Sequence, residues 1–209
     1  MKRCARRLAL SLATLVATLG CLGALTSATA SADQSEFCAG YSGCSIAPYT
    51  THNYQDHAQT SWWSMFAGIN CTNYAAYVES QVYGVATPAH LLGDADQWAA
   101  NALAQGVAVN HTPAVGAVAA WGGNAPGMTG YGHVAVVEAV GPDNSYIDIS
   151  QSGMGSTQDG FSWEQINVGS DSWEPWPSSF IHFTATKPPP PTPKPGLHGA
   201  GFAYTIPGV

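Results

Sequence analysis

The feature that most constrains the fold of this chain is a change of hydrophobic period between residues 106 and 115. Before that point apolar residues recur at helical spacing, as Cys71, Tyr74 and Val78 do. After it the apolar runs are short and extended, and turn residues separate them. Helices followed by an antiparallel meander, rather than alternating with strands, predict an α+β domain in which N-terminal helices pack on an antiparallel β-sheet.

Two helices are expected in the first part of the chain. The first begins at Cys71 in CTNYAAYVESQVYG, and Gly84 is placed to end it. The second follows Asp94 as N-cap, and Gln97 three residues later completes the pattern of a capping box. Gly106 is placed to end this second helix.

Three extended segments are expected in the second part, over residues 115–121, 133–140 and 146–151, with a further short strand in SSFIHF. The turn-rich GPDNS joins the last two of the three as a hairpin. Alternation along YIDISQ puts Ile149 and Gln151 on one face and Asp148 on the other. If the isoleucines face the core and His133 lies on that side, Gln151 can reach its imidazole.

The two ends of the chain divide it further. The basic MKRCARR, the apolar residues 8–19 and a run of small residues predict a secretory signal peptide over residues 1–32, cleaved after Ala30 or, by preference, after Ala32. No second hydrophobic span follows in the sequence, so the mature chain is expected to be secreted and not held in a membrane. Residues 33–61 show no clear period and are expected to form an irregular packed segment, residues 62–186 the main domain, and residues 187–209 a Pro-rich linker with a short tail.

Removal of the leader leaves a strongly acidic chain. Four of the six basic residues lie in residues 1–32, so the mature chain keeps Lys187 and Lys194 against thirteen carboxylates, a formal charge of −11. Binding of nucleic acid requires clustered Lys and Arg to neutralise phosphates. The composition therefore argues against a nucleic acid partner.

The three cysteines that follow the leader divide into a pair and a single residue. Cys38 and Cys44 stand close together in FCAGYSGCS, and an exported context favours a disulfide between them. Cys71 is then left over. A single thiol in an exported protein is a reactive nucleophile, one half of an intermolecular bridge, or an inert buried cysteine.

The position of Cys71 favours a nucleophile. The N-terminal end of a helix carries partial positive charge, which favours the thiolate, the reactive form of cysteine. Of the seven histidines, His133 is the best candidate for the base, because it opens an apolar strand after a glycine-rich loop. Gln151 is the candidate to orient the imidazole, although an amide adds no charge to stabilise an imidazolium. The alternatives are a histidine and a glutamine that merely end their strands.

The region from Trp62 to Phe183 resembles the CHAP family, the cysteine, histidine-dependent amidohydrolases/peptidases of the papain-like NlpC/P60 group. The resemblance rests on NCTNYAAYV around Cys71, TPAVGAVAAW, YGHVAVVEAV around His133, and SFIHF, which occur here in the family's order. It implies a papain-like CHAP fold with Cys71 as nucleophile and His133 as base.

The third catalytic position departs from the family's pattern. The family commonly has a glutamate after a serine and an asparagine two residues later, whereas this chain has SQSG, with Gln151 in the place of the glutamate and Gly153 in that of the asparagine. Gln151 is expected either to orient His133 as an asparagine does in papain-like enzymes or to lower activity. Some relatives bind calcium through an acidic loop before the cysteine, but no D-x-D run precedes Cys71, so neither a metal nor another cofactor is expected.

The resemblance implies a monomeric hydrolase of peptidoglycan, acting outside the cell or in the cell wall. Two reactions stay open, an N-acetylmuramoyl-L-alanine amidase and an endopeptidase of the stem or cross-bridge. A weak or inactive wall-binding module is the alternative, because of SQSG. Trp62, Trp63 and Trp121 lie near the motifs in sequence and are candidates to line a substrate groove, although each can equally be a core residue.

Overall fold

Residues 35–170 and 173–183 are described by the computed structural model. The predicted signal peptide, its two candidate cleavage sites and the predicted Pro-rich tail lie outside these residues.

A seven-stranded sheet forms the centre of the described part of the chain. In chain order its strands are β1 (Ser35–Ala39), β2 (Ala108–Asn110), β3 (Val118–Trp121), β4 (His133–Val140), β5 (Tyr146–Gln151), β6 (Ser162–Asn167) and β7 (Ser179–His182). They lie side by side in the order β1, β6, β5, β4, β3, β7, β2, and neighbouring strands are antiparallel. The predicted α+β class is confirmed, with the expected extended segments forming β3, β4, β5 and β7.

The helices precede most of the sheet in sequence. They are α1 (Gly40–Gly43), α2 (Cys71–Tyr77) and α3 (Ala95–Ala104), with 3-10 turns at Tyr54–Asp56, Trp62–Ser64 and Pro142–Asn144. The helix α2 begins at Cys71 as expected and continues into a π-helical turn, Val78–Val82, before Gly84 leaves the helix with a φ of 75°. Among the described residues, none of the helices has the length and apolar character that a membrane crossing requires.

The start of α3 differs from the expectation in one respect. Asp94 is the N-cap residue, but its side chain makes no capping hydrogen bond. Only its backbone carbonyl is used, accepting from the Gln97 N–H at 2.8 Å. The predicted capping box is therefore wrong, and the Asp94 carboxylate is not engaged in holding the helix end.

Both faces of the central strands β3, β4 and β5 are buried. Helices α2 and α3 cover one face, where Val134 and Val136 of β4 join the larger hydrophobic cluster. On the other face Ala135, Val137 and Ile149 belong to a second, smaller cluster. The near-continuous apolar sequence of β4 follows from this double burial, because successive side chains point to opposite faces.

The segment before α2 is more regular than its sequence indicates. Residues Ser35–Ala39 form β1, an edge strand paired with β6, so the prediction of a wholly irregular segment over 33–61 is wrong. The strand is short, largely half-exposed and interrupted by a register shift between Glu36 and Cys38, which removes the alternation that would reveal it. The predicted disulfide between Cys38 and Cys44 is confirmed.

Asn73 fastens this segment to α2. Its side chain is fully buried, and its Oδ1 accepts a hydrogen bond from the Trp62 N–H at 2.9 Å. Its Nδ2 faces the Tyr54 hydroxyl at 2.9 Å and the carbonyls of Thr60 at 3.0 Å and Ala58 at 3.1 Å. An amide nitrogen has two hydrogens to donate. The loop over residues 54–62 is thereby fixed two residues from Cys71.

Candidate active site

Asn70 fixes Cys71 at the start of α2. Its Oδ1 accepts hydrogen bonds from the Asn73 N–H at 2.8 Å and the Thr72 hydroxyl at 3.0 Å, and its Nδ2 donates to the Phe66 carbonyl at 2.8 Å. A cap of this kind satisfies one of the backbone N–H groups that the first helical turn leaves without a partner. Cys71 itself is a free, half-buried thiol.

Gly153 approaches the start of α2 from the loop after β5. It adopts a φ of 89°, and a Cβ at this position would lie 3.1 Å from the Asn70 Cα and 3.3 Å from the Cys71 nitrogen. A side chain here would be strained by the backbone conformation and would press on the backbone of Cys71. The glycine that stands where the family commonly has asparagine is therefore explained by this close packing.

His133 is the first residue of β4 and is 1% exposed. Its Nε2 lies 2.5 Å from the Gln151 Oε1, the contact that alternation along β5 predicts. The Trp121 ring lies beside the imidazole, with 5.5 Å between the ring centroids. The imidazole is thus held both by a hydrogen bond and by packing against an aromatic ring.

The other contacts of Gln151 determine which way its amide points. Its Nε2 faces three acceptors, the Glu164 Oε1 at 2.8 Å, the Ser162 Oγ at 3.2 Å and the Glu174 Oε2 at 3.2 Å. Because only the amide nitrogen can donate to carboxylates, the amide oxygen must face His133. The His133 Nε2 therefore carries the hydrogen and donates it, which leaves Nδ1 as the ring atom that can accept a proton.

The Cys71 thiol lies against the beginning of β4. The backbone N–H of Val134, the residue after His133, favours negative charge on the sulfur, as do the N–H groups of Thr72 and of Cys71 itself. The start of α2 and the start of β4 therefore bring Cys71 and His133 to the same end of the sheet.

Burial governs the protonation of both groups. It raises the pKa of the Cys71 thiol above its ordinary value of 9.0, the backbone N–H groups act in the opposite direction, and the charge of Asp94 raises the pKa further. Burial lowers the pKa of His133 to about 4, against the effect of the Gln151 hydrogen bond. Thiol and imidazole are therefore both neutral at pH 7. The N–H groups at the helix start favour the thiolate as expected, but desolvation has the larger effect on the pKa of Cys71.

Two buried glutamates lie behind Gln151. Glu164 on β6 and Glu174 before β7 are 1% and 0% exposed, and their carboxyl groups are hydrogen-bonded to each other. Burial raises the pKa of Glu164, and the Glu174 Oε1 lies 3.9 Å from the His133 Nε2. Over residues 35–170 and 173–183, no group of three or more His, Cys, Asp and Glu side chains is arranged to hold a metal ion.

Sequence reasoning missed both glutamates. A signal existed for Glu164, because alternation along SWEQIN places it with Ile166 on a buried face of β6, where a carboxyl group requires polar partners. Glu174 lies in SWEPWP, an irregular stretch without a period that could assign it to a face.

Two cavities adjoin each other beside Cys71. One, of about 210 Å³, is lined by Cys71 itself, and the other, of about 300 Å³, extends to Leu91. Both are lined by Phe66 and Asp94. Phe66, Leu91 and Tyr131 are exposed although they are large and apolar. The result is an open groove with largely apolar walls and one carboxylate, that of Asp94.

The three tryptophans proposed for this groove do not line either cavity. Trp121 is fully buried and donates its ring N–H to the Pro175 carbonyl, and Trp63 is 6% exposed and packed against Trp98. Trp62 is half-buried, with its ring against Tyr77. Trp63 and Trp121 are therefore core residues, because nearness to a motif in sequence does not decide the face to which a side chain points.

A thiol at a helix start, an imidazole at a strand start and an amide hydrogen-bonded to that imidazole form a candidate cysteine–histidine site on an α+β fold. Residues 60–153 match the family model of the CHAP domain. This part of the chain is a CHAP domain, as its resemblance implies.

Individual relatives match shorter parts or match more weakly. A protein of Streptococcus mutans serotype c that is provisionally named a hydrolase is 49% identical over 51 residues, which is 24% of this chain and 22% of that protein. The crystal structure of an N-acetylmuramoyl-L-alanine amidase from Staphylococcus aureus matches with a TM-score of 0.47 and 30% identity, over 57% of this chain and 32% of that chain. The crystal structure of Ly7917 matches with a TM-score of 0.40 and 18% identity, over 61% and 59% of the two chains. This chain spans less than two thirds of the length of each relative.

Proposed function

We propose that this protein is a secreted peptidoglycan hydrolase that cleaves an amide bond with Cys71 as the nucleophile. The observation that carries the proposal is the pairing of His133 with Gln151 at the end of the sheet where the free thiol of Cys71 lies against the Val134 N–H. The match of residues 60–153 to the CHAP domain supports the same reaction class, as does the short match to a protein named as a hydrolase.

The reaction begins from the neutral pair. The His133 Nδ1 takes the proton of the Cys71 thiol as the sulfur attacks the amide carbonyl, and the imidazolium then protonates the leaving amine. Water resolves the resulting thioester with His133 as base, which restores the thiol. The Cys71 N–H, at the first position of α2, is a donor for the oxyanion because no preceding helical turn can accept it.

Gln151 sets the geometry of this proton transfer. By accepting from Nε2 it keeps the imidazole in the tautomer whose Nδ1 lone pair is available. Gln151→Leu leaves Nε2 without its acceptor, so kcat/KM is expected to fall by on the order of a hundredfold.

The decisive experiment compares wall clearing by the wild type and Cys71→Ala in zymograms. Clearing by the wild type alone supports the proposal. Equal clearing by both proteins, or none by either on walls with several cross-bridge types, overturns it. His133→Ala serves as a second loss-of-function variant that leaves the thiol in place.

The bond that is cleaved is identified by mass spectrometry of digested walls. An N-acetylmuramoyl-L-alanine amidase releases intact stem peptides from the sugar, whereas an endopeptidase cuts the stem or cross-bridge and leaves peptide on the muramic acid. The apolar walls of the groove and its single carboxylate, Asp94, are compatible with either peptide substrate.

The second candidate function is a wall-binding module without catalysis, favoured by the replacement of a carboxylate by Gln151. It predicts that the protein co-sediments with walls and releases no peptide or amine.

Export and association state are tested separately. The secreted chain should begin at Asp33 or Ser31. It should run as a monomer on non-reducing gels rather than as a dimer bridged through Cys71.

A further inference from the structure

We propose that Glu174 is a positioning residue that supplies the negative charge which Gln151 lacks, and so stabilises the imidazolium of His133 during the reaction. This rests on the proposed function, because the imidazolium forms when His133 takes the thiol proton. Gln151 orients the His133 ring by a hydrogen bond between neutral groups, and the Glu174 carboxylate, on the far side of the Gln151 amide, supplies the charge.

The geometry places a carboxyl oxygen close to the ring without direct contact. The Glu174 Oε1 lies 3.9 Å from the His133 Nε2, while the Oε2 of the same carboxyl group accepts from the Gln151 Nε2 at 3.2 Å. Glu174 is fully buried, so water does not screen this charge as it would at the surface. The Gln151 amide therefore connects His133 to a carboxyl group rather than to neutral surroundings.

Glu174 shares its site with Glu164. The two carboxyl groups are hydrogen-bonded to each other, and such a contact requires a proton between them, because two like charges this close cannot both form easily. In this proposal the pair shares one proton and carries one negative charge at neutral pH. Ser162 and Gln151 both donate to Glu164, which fixes the pair in place.

Among residues 35–170 and 173–183, few other charges bear on this site. Residues 8–186 contain neither Lys nor Arg, so no Lys or Arg of the described part of the chain neutralises the pair. The remaining titratable groups that bear on the site are Cys71 on α2, Asp94, whose charge acts on that thiol, and Glu36 on β1, whose charge acts on Glu164. Of these carboxylates, Glu174 is the one with an oxygen within 4 Å of the imidazole.

The test moves the carboxylate instead of only removing it. Glu174→Gln keeps the shape of the side chain and loses the charge, and kcat/KM at pH 7 is expected to fall by on the order of a hundredfold. The acid limb of the pH profile should move to lower pH, because the imidazolium becomes less stable. In the double variant Gln151→Glu with Glu174→Gln, the carboxylate stands in direct contact with the His133 Nε2, and both activity and the acid limb should recover.

The pKa of His133, measured by NMR titration of its imidazole in the Cys71→Ser background, gives a readout that needs no turnover. It should fall in Glu174→Gln and rise above the starting value in the double variant. Glu79→Gln is the matched control, since Glu79 is another fully buried glutamate, its pKa responds to burial and Glu138, and it is not among the groups that shift the pKa of His133, which this variant should leave unchanged.

Two results would overturn the inference. One is a Glu174→Gln protein that loses activity equally at every pH and regains none in the double variant, which is the behaviour of a purely structural residue. The other is a His133 pKa that is the same in Glu174→Gln as in the Cys71→Ser background. If Glu174→Gln does not fold, Glu174→Asp, which draws the carboxylate away from the imidazole, should lower the His133 pKa in the same titration, and an unchanged pKa would overturn the inference. An inactive wild type whose His133 pKa shifts as expected would instead overturn the hydrolase proposal alone.

Discussion

The protonation state of Cys71 can be measured through its rate of alkylation. Burial raises the pKa of this thiol above 9.0, so at pH 7 fewer than about 1% of molecules carry the thiolate that reacts with iodoacetamide. Below the pKa the thiolate fraction rises tenfold for each pH unit. The alkylation rate of Cys71 should therefore increase about a hundredfold between pH 6 and pH 8, as measured by quenched time courses and peptic peptide mass spectrometry.

The opposite result would be just as clear. A thiolate stabilised by an imidazolium would already be formed at pH 6, and its alkylation rate would change by less than about threefold over the same range. A flat profile would refute the neutral pair and with it the dominance of desolvation at this site. His133→Ala serves as the control, because a neutral pair predicts nearly the same pH dependence without the imidazole, whereas an ion pair predicts its loss.

Three further predictions concern the surroundings of the site. Asp94→Asn removes a charge that raises the pKa of Cys71, so alkylation of Cys71 at pH 7 should accelerate. The increase should be about two- to fourfold, because Asp94 is exposed and water screens its charge. An unchanged rate would mean that the Asp94 carboxylate lies too far from the thiol to act on it. Asn73→Ala removes three hydrogen bonds that can form together. At about 1 kcal/mol each, the free energy of unfolding in urea should fall by about 3 kcal/mol. A loss below about 1 kcal/mol would mean that water replaces these hydrogen bonds. Burial and the charge of Glu138 raise the pKa of Glu79 well above 4.5. As pH rises, the unfolded chain therefore loses the Glu79 proton before the folded protein does, which lowers the stability of the wild type. Glu79→Gln should remove this loss and so stabilise the protein more at pH 8 than at pH 5, as measured by thermal unfolding.

Long periodic segments and local alternation could be predicted from the sequence. The helix that starts at Cys71 and the strands that start at His133 and Tyr146 were each located by their period. The contact between Gln151 and His133 followed from alternation in one strand and the assumption of a shared face. These features depend on neighbours close in sequence, which a single chain reveals.

Features set by distant neighbours could not be predicted. The strand β1 exists because β6 pairs with it, not because SEFCA has a strong pattern. The burial of Trp121 depends on β3 being covered on both faces, and the position of Glu174 depends on an irregular stretch that brings it back beneath β5. The neutral state of Cys71 likewise depends on tertiary burial that the helix start alone does not indicate.

The lack of Lys and Arg over residues 8–186 also determines which proteases can cleave this domain. Trypsin-like enzymes cleave after cationic side chains, which their specificity pocket pairs with a carboxylate. They find no such bond anywhere between β1 and β7, so resistance to them is a property of the composition and persists even when the chain is unfolded. A protease that cleaves after aromatic residues has Trp, Tyr and Phe throughout the same region, and its rate of cleavage would report the opening of the fold, which trypsin cannot detect.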